Sequence, residues 1–211
     1  MLDTWPALPI VIYAKDVRSR DATNFITALR HHNRVSKIYY NNMFFQDSLL
    51  KEFGVIDEPF LVLTSLLVHT HKQQNVPVLP DSFLGGSAPR LRSLDLFSIP
   101  YPSMGKLLSS TINLVRLSLW CIPHSGYIAP ETIVPWLSML PKLKSLCLGF
   151  RYPRFQADRA SRHPPPLTRV VFPNLTFLRF HGDIEYLEDI LSQIETPMLN
   201  ETDLYFFNQL Q

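Results

Sequence analysis

The tightest group of metal-ligating side chains in the sequence is His69-Thr70-His71. Two residues apart on a strand, both imidazoles point to one face and could share a metal ion. No cysteine or carboxylate stands near them at metal-ligand spacing, so hydrogen-bonded or solvated rings are expected instead. The adjacent pair His31-His32 has the same character. Arg151, Arg154, Arg159, Arg162 and Arg169 surround Pro164-Pro165-Pro166 and could meet a phosphate or an acidic partner. The plainer expectation there is a surface loop with a short polyproline piece. No aromatic-interleaved basic stripe extends it, so nucleic acid is not an expected partner. The phosphate-binding loop, the G-x-S-x-G elbow, the H-E-x-x-H zinc motif and the dinucleotide fingerprint are all missing. The expectation is therefore no catalytic residue, no metal and no cofactor: a protein that is not an enzyme.

Composition says what kind of framework must carry these residues. Among 211 residues there are 32 Leu, 18 Pro and only 7 Gly. Scarce Gly argues against folds built on Gly-rich phosphate loops, and frequent Pro suits a chain of punctuated turns. A hydrophobic fraction of 46% with 18% charged residues excludes a disordered chain and a long coiled coil. A net charge of +2 supplies no field to draw the chain to nucleic acid or an anionic membrane. The longest apolar stretch, residues 60–68, is far short of a membrane span and contains Thr64 and Ser65. Met1-Leu2-Asp3 lacks the basic start of a secretory signal, so a cytoplasmic or nuclear location is expected, with no membrane partner. Without such a signal the two glycosylation sequons, at Asn174 and Asn200, carry no weight. Cys121 and Cys147 are too few for a disulfide scaffold.

A self-similar L-x-x-L-x-L unit organises the chain. Clear copies are Leu91/Leu94/Leu96, Leu114/Leu117/Leu119 and Leu143/Leu146/Leu148. Relaxed copies are Val35/Ile38/Tyr40, Leu63/Leu66/Val68 and Leu175/Leu178/Phe180, with weaker ones at Ala7/Ile10/Ile12 and Leu199/Thr202/Leu204. First positions at 7, 35, 63, 91, 114, 143, 175 and 199 give steps of 28, 28, 28, 23, 29, 32 and 24 residues. These fit a leucine-rich-repeat period, with one longer insertion. The L-x-L alternation places two apolar side chains on one face of a short strand, and stacked copies bury a continuous core. Pro89, Pro141, Pro173 and Pro197, each two residues before a first position, end the preceding element. The expected fold is α/β: a leucine-rich-repeat solenoid, or horseshoe, with parallel inner strands and outer helices or loops. It forms one array over residues 1–211 of about eight repeats, and residues 151–169 make an inserted Arg/Pro-rich loop.

Return helices are expected between strands: after Asp21 with Phe25, Ile26 and Leu29; over 49–53 after Asp47; after Ser103 with Met104, Leu107 and Leu108; and over 133–140. In the last, Pro135 fits only near the first turn, which favours Thr132 as cap. A longer helix after Asp183 is expected to bury Ile184, Leu187, Leu191 and Ile194. Residues 76–87 read as irregular, with one turn near 82–84.

The same alternation lists what the other strand face displays. The residue between the two L-x-L positions forms one column: Val11, Tyr39, Leu67, Asp95, Ser118, Cys147, Arg179 and Asp203. The residue after the pair forms a second: Tyr13, Asn41, His69, Phe97, Trp120, Gly149, His181 and Tyr205. Strands about 4.8 Å apart bring neighbours in a column into contact. Exposed aromatics on a rigid scaffold are favoured interface anchors. The candidate partner-binding set is Tyr13, Tyr39, Asn41, His69, Asp95, Phe97, Trp120, Arg179, His181, Asp203 and Tyr205. Ladder packing of these rings on one another is the alternative. With Ser118 opposite Cys147, the two cysteines are expected to stay reduced.

Several phrases resemble the expanded fungal F-box/leucine-rich-repeat proteins. They are Leu2-Asp3-Thr4-Trp5-Pro6-Ala7-Leu8-Pro9-Ile10, Leu79-Pro80-Asp81-Ser82-Phe83-Leu84-Gly85-Gly86, Ala88-Pro89-Arg90-Leu91 and Ile122-Pro123-His124-Ser125-Gly126-Tyr127-Ile128. The resemblance covers nearly the whole chain. It implies repeats that hold a protein substrate for a ubiquitin ligase, reached through an F-box that binds a Skp-type adaptor. No F-box-like segment precedes the first repeat, so the resemblance implies that adaptor only if an F-box lies upstream. The alternative is a structural or scaffold repeat protein, or a truncated paralogue, with no ligase link.

Overall fold

The computed structural model describes residues 8–16, 19–42, 56, 58–70, 78–100, 104–153 and 169–207. Eight strands form one open, all-parallel sheet in the order β1-β2-β3-β4-β5-β6-β8-β10. They are β1 (Ile10–Lys15), β2 (Val35–Asn42), β3 (Ser65–Thr70), β4 (Ser93–Phe97), β5 (Arg116–Ile122), β6 (Ser145–Phe150), β8 (Phe177–Gly182) and β10 (Glu201–Phe206). A separate parallel pair joins β7 (Val170–Val171) to β9 (Ile194–Glu195). The repeat pattern had no place for this pair. Four helices are described: α1 (Ser19–Leu29), α2 (Gly105–Ser110), α3 (Pro130–Ser138) and α4 (Ile184–Gln193).

The L-x-L positions build the core. Leu66, Leu94, Leu117, Leu146 and Leu178 lie side by side across β3 to β8, and all are buried. Leu29, Leu107, Leu108, Ile133, Leu137 and Leu187 of the helices join them in one apolar cluster. The residues that lead into neighbouring strands are also tied to one another. The backbone N–H groups of Thr64, Arg92, Val115, Lys144, Thr176 and Asn200 donate to carbonyls of Ser36, Thr64, Arg92, Val115, Lys144 and Thr176, at 2.8–3.2 Å. The Asn113 and Asn174 amides reach Pro89 O at 3.0 Å and Pro141 O at 2.8 Å. These ties satisfy polar groups that the turns would otherwise bury unpaired.

Register follows the expected steps from β2 onward. The first coil differs. Ile12 pairs with Ile38, Tyr13 with Tyr39 and Ala14 with Tyr40, so the step from Ile12 to Ile38 is 26 residues, not the 28 that placed Ile10 opposite Ile38. A shift of two keeps every side chain on its face, so alternation is blind to it. Packing decides: small Ala14 faces bulky Tyr40, which is itself packed against Phe25 of α1. The Ser36 hydroxyl then donates to Ile10 O at 3.0 Å, as Thr64 does to Ser36 O at 2.9 Å one coil later.

Helix details depart further. α1 begins at Ser19, ahead of Asp21, and buries Phe25 and Leu29. α3 starts at Pro130, not after Thr132, which leaves Pro135 well inside the helix. Pro130 sets the first-turn φ, and Pro135 faces solvent, where the missing N–H costs least. α4 buries Tyr186, Leu187 and Ile190, while Ile184 and Leu191 are exposed. The expected stripe is displaced because Tyr186 enters the core, stacks on Phe180 and donates its hydroxyl to Ile128 O at 2.7 Å. The turn expected near 82–84 is a short segment at Phe83–Gly86, kinked where Leu84 and Gly85 take left-handed φ values of 56° and 60°. The segments 49–53 and 154–168, and Ser103, lie outside the described residues.

Candidate partner-binding face

Every candidate residue sits on the sheet face opposite the helices, because strand side chains alternate and the apolar set faces inward. Among the described residues no helix covers this face. The first column runs Tyr13, Tyr39, Leu67, Asp95, Ser118, Cys147, Arg179, Asp203. The second runs Lys15, Asn41, His69, Phe97, Trp120, Gly149, His181, Tyr205. Tyr13 therefore belongs to the first column and not the second, in the place assigned to Val11. There it stacks on Tyr39, with centroids 4.8 Å apart and planes 9° apart.

The columns divide into local groups. At the centre, His69 Nε2 lies 3.1 Å from Asp95 Oδ1, outside hydrogen-bond geometry, and its ring tilts against Phe97 at 5.4 Å. The sequence placed no carboxylate near His69. Asp95 arrives from the next coil, a contact made by register alone. His71, the other half of the suspected metal pair, lies outside the described residues. Asn41 Oδ1 beside His69 is buried with no hydrogen-bond partner. Among the described residues no three His, Cys, Asp or Glu side chains gather at metal-binding range.

Towards the C-terminus the rings join across strands. β5 carries a bulge: Leu119 pairs with Leu148 but Ile122 with Phe150, and Cys121 takes a left-handed φ of 55°. One extra residue here lets Ile122 return to the core while Trp120 stays on the open face. The indole then lies over β6. A Cβ on Gly149 would stand 2.6 Å from it, so only glycine leaves room. Trp120 reaches His181 in β8, centroids 6.0 Å apart and 30° between planes. His181 in turn meets Phe207 at 4.6 Å and Tyr205 at 6.4 Å. Phe207 and the spacer role of Gly149 escaped the sequence reading. A lone glycine in a column of aromatics was the available signal for the latter.

Arg179 and Asp203 form the charged pair of the first column. Arg179 Nε and Nη2 lie 3.0 and 2.6 Å from Asp203 Oδ2, and the guanidinium sits 5.5 Å from the Phe177 ring centroid. The carboxylate bond raises the arginine pKa still further, so it stays charged. Both cysteines are free and half-buried. Burial pushes each thiol above its ordinary pKa, against the opposing pull of Arg151 on Cys121 and Arg179 on Cys147. Neither is an activated nucleophile. The face is thus a mixed aromatic and charged surface, held by mutual stacking and still half-exposed.

Comparison with family models, with curated proteins and with solved structures found no match. Among the described residues no helix is long and apolar enough to cross a membrane.

Proposed function

We propose that the chain is a leucine-rich-repeat arc that recognises a protein partner on its helix-free face, like the substrate-binding part of the F-box receptors it resembles. The observation that carries this reading is the run of half-exposed rings and charges from Tyr13 to Tyr205, placed side by side on eight parallel strands. A buried ladder built only for stability has no need of an Arg–Asp pair, a His–Asp contact and an indole on the solvent side. Aromatic and arginine side chains on a rigid sheet lose little entropy on binding and dominate interface energies. Attachment to a Skp-type adaptor would need an F-box in addition to this face.

The decisive experiment compares proximity-labelled partners of the wild type with those of Trp120→Ala and of Tyr205→Ala, alongside chemical denaturation of each. Partners lost from both variants while both keep their stability would support recognition by this face. Unchanged partners with a large stability loss would make the rings packing elements of a scaffold protein. That scaffold reading draws on the ring-on-ring contacts themselves.

A further inference from the structure

The edge where β4, β5 and β6 begin carries five exposed cations: Arg90, Arg92, Arg116, Lys142 and Lys144. Two phrases of one pattern supply four of them, Pro89-Arg90-Leu91-Arg92-Ser93 and Pro141-Lys142-Leu143-Lys144-Ser145. In each the leucine is buried and the basic residues on either side of it are exposed. The strand entries bring the five together. Arg116 N–H donates to Arg92 O at 3.0 Å, and Lys144 N–H to Val115 O at 2.9 Å. Arg116 Nε lies 3.5 Å from Ser93 Oγ. Lys142 Nζ donates to Asn113 Oδ1 at 2.7 Å, and the Asn113 amide reaches Pro89 O, next to Arg90. With strands about 4.8 Å apart, the group spans about 10 Å from β4 to β6.

This row does nothing for the fold. Among the described residues no carboxylate pairs with any of the five. Asp95 lies two residues into β4, and Glu58 precedes β3. Counted in full, those two carboxylates still leave an excess of three positive charges. Like charges side by side repel, and an exposed excess of one sign attracts the other. The arrangement also distinguishes among polyanions. A nucleic-acid strand is held by aromatic faces set among the basic contacts. Here the β5 ring, Trp120, stands four residues, about 13 Å, beyond Arg116. Phe177, beside Ser145, already has the Arg179 guanidinium over its ring. An extended polypeptide suits the row better, since alternate side chains recur about every 6.6 Å and three of them span it.

We propose that this row binds an acidic segment of a partner polypeptide, extended across the strand entries, through alternate glutamate or aspartate side chains. Arginine meets a carboxylate with two parallel N–H groups, and the lysines add point charges. Arg116 projects on the helix-free face, in line with Ser93 and Ser145, so the row is continuous with that face. The inference deepens the recognition reading, on which it rests: the row steers and registers an acidic stretch of the same partner.

The test is fluorescence anisotropy of a labelled Gly-Glu-Ser-Glu-Ser-Glu-Gly peptide titrated with the whole chain. The same peptide with glutamine for glutamate, and a short oligothymidylate, are run in parallel. Saturable binding of the glutamate peptide is expected, weakening as salt rises, with the glutamine peptide at least about 10-fold weaker. Arg92→Glu combined with Arg116→Glu should weaken binding at least about 10-fold, and so should Lys142→Glu combined with Lys144→Glu. Circular dichroism should be unchanged in both, because all four side chains are exposed. Arg169→Glu, exposed ahead of β7 and outside the row, should leave binding intact. Absence of binding, equal binding of the glutamine peptide, or indifference to both charge-reversed pairs would overturn the proposal. Tighter binding of the oligothymidylate would overturn the polypeptide assignment. Trp120→Ala should leave the anisotropy unchanged. Labelled partners lost from Trp120→Ala yet kept by the arginine pair would overturn the acidic segment alone. Peptide binding at the row, with every partner kept by Trp120→Ala and Tyr205→Ala, would overturn the recognition face alone.

Discussion

The two faces of the parallel sheet are built from alternate residues of the same strands, yet they obey different rules. On the helix side Leu94, Leu117 and Leu146 occupy equivalent positions, and each is almost fully buried, at 0%, 1% and 3% exposure. One residue further along each strand, the open side shows Asp95, Ser118 and Cys147, all half-buried. Parallel strands side by side demand sameness inside, since each buried side chain must fill the gap left by its neighbour. Outside, nothing demands sameness, and each contact is of its own kind: Tyr13 stacks on Tyr39, His69 lies against Asp95 and Arg179 pairs with Asp203. The repeated face carries the fold. The unrepeated face is free to carry specificity.

Breaking the inner face should have the largest effect. Leu117→Asp places an uncompensated carboxylate in the core and should cost at least about 3 kcal/mol. Urea denaturation would show loss of the cooperative transition; an unchanged midpoint would mean that Leu117 does not face inward. Leu94→Ala, milder, should cost about 2–5 kcal/mol by the same measurement. On the open face Trp120→Ala should cost only about 1 kcal/mol of stability but about 2 kcal/mol of partner binding. The reverse order would make the two faces equivalent.

Smaller effects sharpen the contrast. Arg179→Ala removes a pair whose arginine is 43% exposed, so it should change stability by less than about 1 kcal/mol. A double-mutant cycle with Asp203→Ala measures the coupling. The smallest expectation concerns reactivity. Burial raises the Cys147 thiol pKa, so less thiolate is present at neutral pH than for a free cysteine. Iodoacetamide alkylation should be slow near pH 7 and should accelerate only at a pH above the midpoint of a free thiol. Alkylation at the rate of a free thiol at pH 7 would contradict the half-buried placement.

The repeat pitch was legible because it rests on local chemistry. Two apolar residues flanking one exposed residue, repeated at near-constant spacing, define strand, inward face and neighbour without knowledge of the loops. From Ile38 to Thr202 the pairing of the L-x-L positions in the eight-stranded sheet follows from that spacing alone, while the bulge after Leu119 and the β7–β9 pair do not. The membership of the open face was legible for the same reason, apart from Lys15 and Phe207. Contacts across that face were legible only where the register was already certain.

What only the tertiary structure decided is everything for which local pattern offers two equal answers. The first coil could slide by two residues without exposing an apolar side chain, and the fit of Ala14 to Tyr40 chose between the registers. Helix α4 carries apolar residues on more than one side, and the pocket beside Phe180 selected Tyr186 over Ile184. The bulge at Cys121, the indole lying over Gly149 and the aromatic corner at Tyr127, Phe150 and Tyr186 join residues from separate coils. Periodicity reports which way a side chain points. Which side chain it meets depends on the length and path of the intervening turns, and those are settled only when the coils pack.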